Sequence, residues 1–227
     1  MSRLFYCIPT YKSIPECVLA VESVYAGSRV PDSIVIIDNS GSAASAIALK
    51  PFIDCYKNIH IWPQVKNIGV APSWNLFLYT LATDYVLIAN DDVTVHYDTI
   101  ARMEAAAESQ ATAILYGDGS AGNAYSFFIY KQYAFQKYGG FDESFYPAYF
   151  EDNDMWYRLH TLNGYTPYFV PGATYTHAVS STIAKYTQQE KDMHHVYFEK
   201  NAQYYMKKWG GAPTHETYRI PFNYTHL

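Results

Sequence analysis

The sequence predicts an α/β protein built on a mostly parallel central sheet. Three observations lead there. Short apolar runs recur in the first half, at Leu4–Ile8, Ser33–Ile37 and Asp84–Ala89, and buried strands of parallel sheets read as such runs. Helical patterns separate them, the signature of βαβ units. Two of the runs end abruptly in Asp38-Asn39 and Asn90-Asp91-Asp92, and open α/β sheets bind ligands outside the carboxyl ends of their strands.

The elements follow in order. After the Leu4 strand, Ser13-Ile-Pro-Glu16 has capping-box spacing, and Cys17, Ala20, Val21 and Val24 mark a helix to about Tyr25. The Ser33 strand leads into Asp38-Asn-Ser-Gly41 and a weaker helix over 43–49. Asn58–Trp62 reads as a short third strand, and 71–81 as a helix with Pro72 near its start. The Asp84 strand and its paired aspartates close this half.

The second half changes character. A helix of good formers spans 98–108, and strands are expected at 113–116 and 125–130. The loop between them, Gly117 to Gly122, lacks the Lys-Ser/Thr of a P-loop and takes a turn role. A helix is expected from Glu151 to Asn163, closed by Gly164, then a strand at 167–170. A loop carrying Ser180, Ser181 and Thr182 follows. The last helix runs from about Gln188 to Lys208, with Met193, Val196, Tyr197, Tyr204 and Tyr205 on one face and Gly210-Gly211 as its stop.

Composition narrows the function. The chain has 227 residues, 49% of them hydrophobic and 16% charged, enough for a sizeable core. We expect one compact unit, with a nucleotide-binding half (1–93), an acceptor half (94–183) and a C-terminal helix and tail (184–227). No apolar run approaches the roughly 18 residues of a membrane helix, and the N-terminus is too short and interrupted for a signal peptide. Cys7, Cys17 and Cys55 have neither disulfide-framework nor zinc-site spacing, so the expected setting is reducing and cytoplasmic. A formal net charge of −5 argues against a broad basic surface for nucleic acid. The 24 tyrosines supply flat faces with polar tips, suited to sugars and bases but also to half-buried packing.

In a parallel sheet the strand ends Thr10-Tyr11, Asp38-Asn39 and Asp91-Asp92 lie along one edge. Two carboxylates there suit Mg²⁺ or Mn²⁺, which in turn holds a diphosphate; the plain alternative is an Asp-rich turn. Gly139-Gly-Phe-Asp-Glu143 precedes a second acidic cluster, Glu151, Asp152 and Asp154. One carboxylate of that cluster aimed into a cleft is a general base; the alternative is an acidic first helical turn. Arg158 lies i+4 from Asp154 and suits an ion pair with it. His177 ends another apolar stretch, and histidine is a common metal ligand.

These pieces, in this order, resemble the family 2 glycosyltransferases of the GT-A fold, especially the rhamnosyltransferase-like branch. Ile8-Pro-Thr-Tyr11, Val35 to Gly41, Asn67 to Asn75, Asn90-Asp-Asp-Val93, Gly139 to Glu143 with Tyr149 to Asp154, and Pro171 with His177 and Ser180 to Thr182 carry the likeness over 4–182. Trp74 departs from it, standing where a small or basic residue is usual, and the tail after about Ala184 matches nothing.

The resemblance implies an inverting, metal-dependent transfer from a nucleoside-diphosphate sugar of UDP, dTDP or GDP type to an acceptor hydroxyl. It places Thr10, Tyr11 and Asp38 at the nucleobase and ribose, with Asn67 closing that pocket. Asp91 lies near the ribose or diphosphate. Asp92 ligates Mn²⁺ or Mg²⁺, and His177 completes that site. Asp152 is the general base, with Glu151 the second candidate. Gly140 and Phe141 shape the sugar and acceptor pocket. Rival readings are a sugar nucleotidyltransferase and a non-catalytic carbohydrate- or nucleotide-sugar-binding module on the same fold. The acceptor is expected to be a saccharide or another hydroxyl compound, with nucleic acid a disfavoured one. The aromatic tail suits a cover on its own domain or a homodimer contact.

Overall fold

The computed structural model describes residues 3–42, 44–119, 124–178 and 186–224. Its central sheet has seven strands: β1 (Phe5–Thr10), β2 (Ser33–Asp38), β3 (Ile59–Pro63), β4 (Tyr85–Ala89), β6 (Ile114–Tyr116), β7 (Phe127–Lys131) and β8 (Tyr168–Phe169), in the order β3-β2-β1-β4-β7-β6-β8. Strands β3, β2, β1 and β4 are parallel. Strand β7 runs antiparallel to both β4 and β6, while β8 is parallel to β6. Thus β7 alone opposes the rest of the sheet. A separate two-stranded sheet pairs β5 (Val93–Val95) with β9 (Tyr175–His177).

Alternation along each strand divides the core between the two sheet faces. Tyr6, Ile8, Ile34, Ile36 and Leu87 pack on one side with α1 (Ile14–Tyr25) and α5 (Thr99–Ser109). Cys7, Val35, Ile37, Val86 and Ile88 pack on the other, with α4 (Val70–Thr80), α6 (Gln132–Tyr138) and α7 (Glu151–Trp156). The short helices α2 (Ala44–Ala48) and α3 (Lys50–Tyr56) link β2 to β3. A third cluster, Phe145, Tyr157, Tyr205 and Trp209, docks the C-terminal helix α8 (Gln188–Trp209).

Several local expectations are corrected. Ser13 is the N-cap of α1 but makes no side-chain cap hydrogen bond; its φ of −106° and ψ of 42° lie outside the extended region that aims a cap hydroxyl at the first turn. The capping box sits instead at Thr187 and Glu190, opening α8. The expected helix from Glu151 turns π-helical over Tyr157–Leu162. Helices α3 and α6 and strand β5 were not legible; β5 is three residues long and exists through its partner. On α8, Met193 and Val196 are exposed, and the buried side is Asn201, Tyr205, Lys208 and Trp209. That side includes a lysine and an asparagine because each finds acceptors there, Lys208 the Asp142 and Asp154 carboxylates and Asn201 two backbone carbonyls.

Candidate active site

Register explains the first cluster. Thr10 is paired with Asp38 across β1 and β2, and Cys7 with Ile88 across β1 and β4. Carrying the second register three residues further sets Thr10 beside Asp91. The Thr10 hydroxyl donates to Asp91 Oδ2 at 2.8 Å, between two buried side chains. Burial pushes the Asp91 carboxyl up to about 7, against the pull of that hydrogen bond.

The small sheet brings in the histidine. Val93 is in register with His177, so the histidine lands next to the residue preceding Val93. His177 Nε2 lies 3.0 Å from Asp92 Oδ1, with both side chains nearly buried. Its Nδ1 is 3.2 Å from Ser126 Oγ, which orients the ring. Ser126 reaches this edge because β7 is antiparallel: its amino end meets the carboxyl end of β4, where the Asn90 amide donates to the Ser126 carbonyl at 2.9 Å.

Among the described residues no group of three His, Cys, Asp or Glu side chains is placed to hold a metal ion. The donor set is therefore a pair, Asp92 and His177, beside a second buried carboxylate. That chemistry fits a hard divalent cation shared with phosphate oxygens, since Mg²⁺ typically takes one or two carboxylates plus substrate phosphates rather than a full protein cage.

The second acidic cluster faces the same space. Glu151 and Asp152 open α7 and line a cleft of about 330 Å³ together with Thr10, Tyr11, Asn67, Asp91, Asp92 and His177. Burial raises the Asp152 carboxyl, partly offset by backbone N–H groups. Burial and the neighbouring Asp152 push Glu151 well above the usual carboxylate range. Glu151 Oε2 is buried with no hydrogen-bond partner among the described residues. Asp154 turns the other way: it is fully buried and paired with Arg158 at 2.8 Å, as the i+4 spacing suggested.

Three expected site residues do not line the cleft. Asp38 is 1% exposed, and its carboxylate accepts from the Ser40 amide at 2.8 Å and from the Ser45 hydroxyl. It caps the turn after β2, and Asn39 stands at the cleft in its place. Phe141 is buried against Trp74, ring centroids 4.7 Å apart, with its amide donating to Asn75 Oδ1 at 2.8 Å. Gly140 lies against the same asparagine: a Cβ there would stand 2.3 Å from Asn75 Oδ1. These two support the wall of the cleft from behind. Ser180, Ser181 and Thr182 fall outside the described residues.

Sequence reasoning missed Tyr125, Ser126, Pro147, Tyr186 and His194, all of which line the cleft. No motif marks them; tertiary pairing brings them in. Trp74, singled out as a departure, lines the cleft too, and its buried Nε1 has no partner among the described residues. Tyr11 meets Tyr186 edge-on at 6.4 Å, and His194 Nε2 lies 3.1 Å from the Tyr149 hydroxyl, so α8 and the residues just before it form one side of the mouth.

The cleft thus lies at the carboxyl edge of a mostly parallel sheet, lined by the paired aspartates that follow the fourth strand and by the acid pair that opens α7. Solved structures agree on the fold. A mannosyltransferase from Pyrobaculum calidifontis, in complex with GDP-Man and Mn²⁺, superposes with a TM-score of 0.64 at 15% identity over 79% of this chain. TarS residues 1–349 from S. aureus, in complex with UDP-GlcNAc, gives 0.62 at 15% over 92%. GalNAc-T7 with UDP, GalNAc and Mn²⁺ gives 0.66 at 12% over 78%. The chain spans 58% of the mannosyltransferase, 67% of that TarS chain and 44% of GalNAc-T7. No curated protein is matched by the sequence. The chain belongs to glycosyl transferase family 2, whose model matches residues 6–170.

Proposed function

We propose that this protein is an inverting glycosyltransferase, moving a sugar from a nucleoside-diphosphate donor to an acceptor hydroxyl in a single displacement. One observation carries the reading: the Asp91–Asp92 pair, His177 and the Glu151–Asp152 pair, far apart in sequence, line one cleft. The similar solved structures hold GDP-Man, UDP with GalNAc, or UDP-GlcNAc, so a nucleotide sugar is the ligand to test.

Asp92 and His177 would hold a Mn²⁺ or Mg²⁺ ion, which when bound neutralises the charge gathering on the leaving diphosphate. Thr10 fixes Asp91 beside it. Tyr11, Asn39 and Asn67 flank the nucleotide end. Asp152 accepts the proton of the attacking hydroxyl. The new bond forms from acceptor oxygen to anomeric carbon, the bond from that carbon to the diphosphate oxygen breaks, and its electron pair leaves with the diphosphate. Attack from the opposite face inverts the anomeric centre, and no side-chain nucleophile takes part.

The test is a thermal-shift screen of UDP-, dTDP- and GDP-linked donors with and without Mn²⁺, followed by turnover. A ligand that binds the native state raises its apparent stability. The expected result is a Mn²⁺-dependent shift for one nucleotide class that disappears in Asp92→Ala. In Asp152→Asn the shift should persist while turnover falls at least a hundredfold, in line with the usual contribution of a general base. Equal loss of both properties in both variants would refute the division of roles, and no shift with any nucleotide would refute the reading.

A further inference from the structure

The acid pair is presented by an unusual turn. Tyr149 and Phe150, the two residues before Glu151, have φ of +77° and +73°, and neither is glycine. Consecutive left-handed non-glycine residues persist only where surrounding structure holds them. Phe150 is the N-cap of α7 and no side chain caps that helix start.

One side of what holds the turn lies outside the stretch matched by the family model, which ends at residue 170. Helix α8 grips it with His194, Phe198, Asn201 and Tyr205, whose spacing of four, three and four puts them on one helical face. The His194 ring meets Tyr149 edge-on at 5.1 Å. Phe198 packs on both Tyr149 and Phe150, at 5.4 and 5.2 Å, and Tyr205 on Phe150 at 5.8 Å. At the centre Asn201, 1% exposed, donates its amide to the Ala148 carbonyl at 2.8 Å and the Tyr149 carbonyl at 3.3 Å. On the far side the Val70 amide donates to the Pro147 carbonyl at 2.8 Å, so the turn is pinned between the nucleotide half and α8.

A helix face made only for packing has no need of a buried amide. The two carbonyls that Asn201 satisfies belong to the turn that sets the direction of α7, and Glu151 and Asp152 are the first two residues of α7. We propose that Asn201 is a positioning residue: it holds residues 148–149 in the turn that aims Glu151 and Asp152 into the cleft, which makes the C-terminal helix part of the transfer apparatus. The inference rests on the reading of the cleft as a transferase site. It makes catalysis separable from nucleotide binding, because the hydrogen bonds of Asn201 go to the turn that precedes the acid pair and not to Thr10, Asp91, Asp92 or His177.

The experiment uses the full chain, Mn²⁺ and the nucleotide sugar that gives wild-type turnover, read as release of nucleoside diphosphate. Asn201→Leu keeps the side-chain volume close and removes the donor. Asn201→Ser, shorter but still polar, takes the same readouts should the leucine variant not fold. Val196→Ala, on the exposed side of α8, is the control and should match wild type. The expected result is a kcat down ten- to a hundredfold, a donor KM and nucleoside-diphosphate shift within twofold of wild type, and a displaced ascending limb of the pH–rate profile as Asp152 changes surroundings. A folded Asn201 variant with wild-type kcat and pH profile overturns the inference. So does a variant that loses kcat and nucleotide binding together. Wild type that turns over no nucleotide sugar refutes the transferase reading, and this inference with it.

Discussion

Asp154 gives the sharpest stability prediction. It follows Asp152 by two residues on α7, yet it is wholly buried and takes no part in the cleft. Its carboxylate accepts from Arg158 Nε at 2.8 Å, Trp209 Nε1 at 2.9 Å and Lys208 Nζ at 2.5 Å. It therefore joins α7 to the last turn of α8. Asp154→Ala strips a partner from two cations and one indole. Removing one member of a buried charged pair costs about 3–5 kcal/mol. Arg158 keeps the Tyr138 and Gly140 carbonyls at 3.0 and 2.7 Å, and Lys208 keeps Asp142 at 2.7 Å. Those remaining partners place the expected loss at the lower end, about 3 kcal/mol, or roughly two orders of magnitude in the folding equilibrium. Urea unfolding followed by far-UV dichroism and tryptophan fluorescence measures it, with an unchanged slope as the sign that only stability moved. A loss under about 1 kcal/mol would refute the network's role, since a surface ion pair contributes that much.

Three further outcomes follow. Trp74→Phe keeps most of the ring packing and deletes an unpartnered buried N–H, so stability should hold; if that N–H meets the bound donor, affinity should fall about five- to tenfold, the worth of one hydrogen bond, and unchanged affinity in calorimetry would count against the contact. Glu151 has a raised carboxyl in the folded protein and an ordinary one, about 4.3, when unfolded. The folded state then holds the extra proton between those values, so stability falls as pH rises above about 4 until the folded group ionises; Glu151→Gln should flatten that fall in melts from pH 5 to 8, and an identical slope would contradict it. Gly140→Ala pushes a methyl to 2.3 Å from Asn75 Oδ1, a side chain fixed by hydrogen bonds to both the Phe141 amide and carbonyl at 2.8 Å. The cost should be about 1–3 kcal/mol of overpacking, and a neutral denaturation midpoint would mean that Asn75 moves freely.

The sequence by itself determined the parallel half and the residue types at its carboxyl edge. Apolar runs such as Tyr85–Ala89 are buried on both faces and carry a local signal that survives any tertiary context. Their ends, Thr10 and Asp91-Asp92, reach one edge because parallel strands share a direction. The acids Glu151 and Asp152 were visible for a similar reason, as charges at a helix start. Only the tertiary structure decided how the pieces meet. The antiparallel β7 delivers Ser126 to the carboxyl edge beside His177, and the short β5–β9 pairing sets His177 against Asp92. Neither pairing has a local period to read, because hydrogen bonds between distant segments depend on register. Asp38 was read at the cleft, but two nearby donors, Ser40 and Ser45, claim its carboxylate. On α8 an apolar stripe was expected, whereas the buried face is chosen by what it can satisfy: Asn201 by two turn carbonyls, Lys208 by Asp142 and Asp154. A buried polar side chain is stable only with its partner in place, and that partner is fixed by the fold and not by the neighbouring sequence.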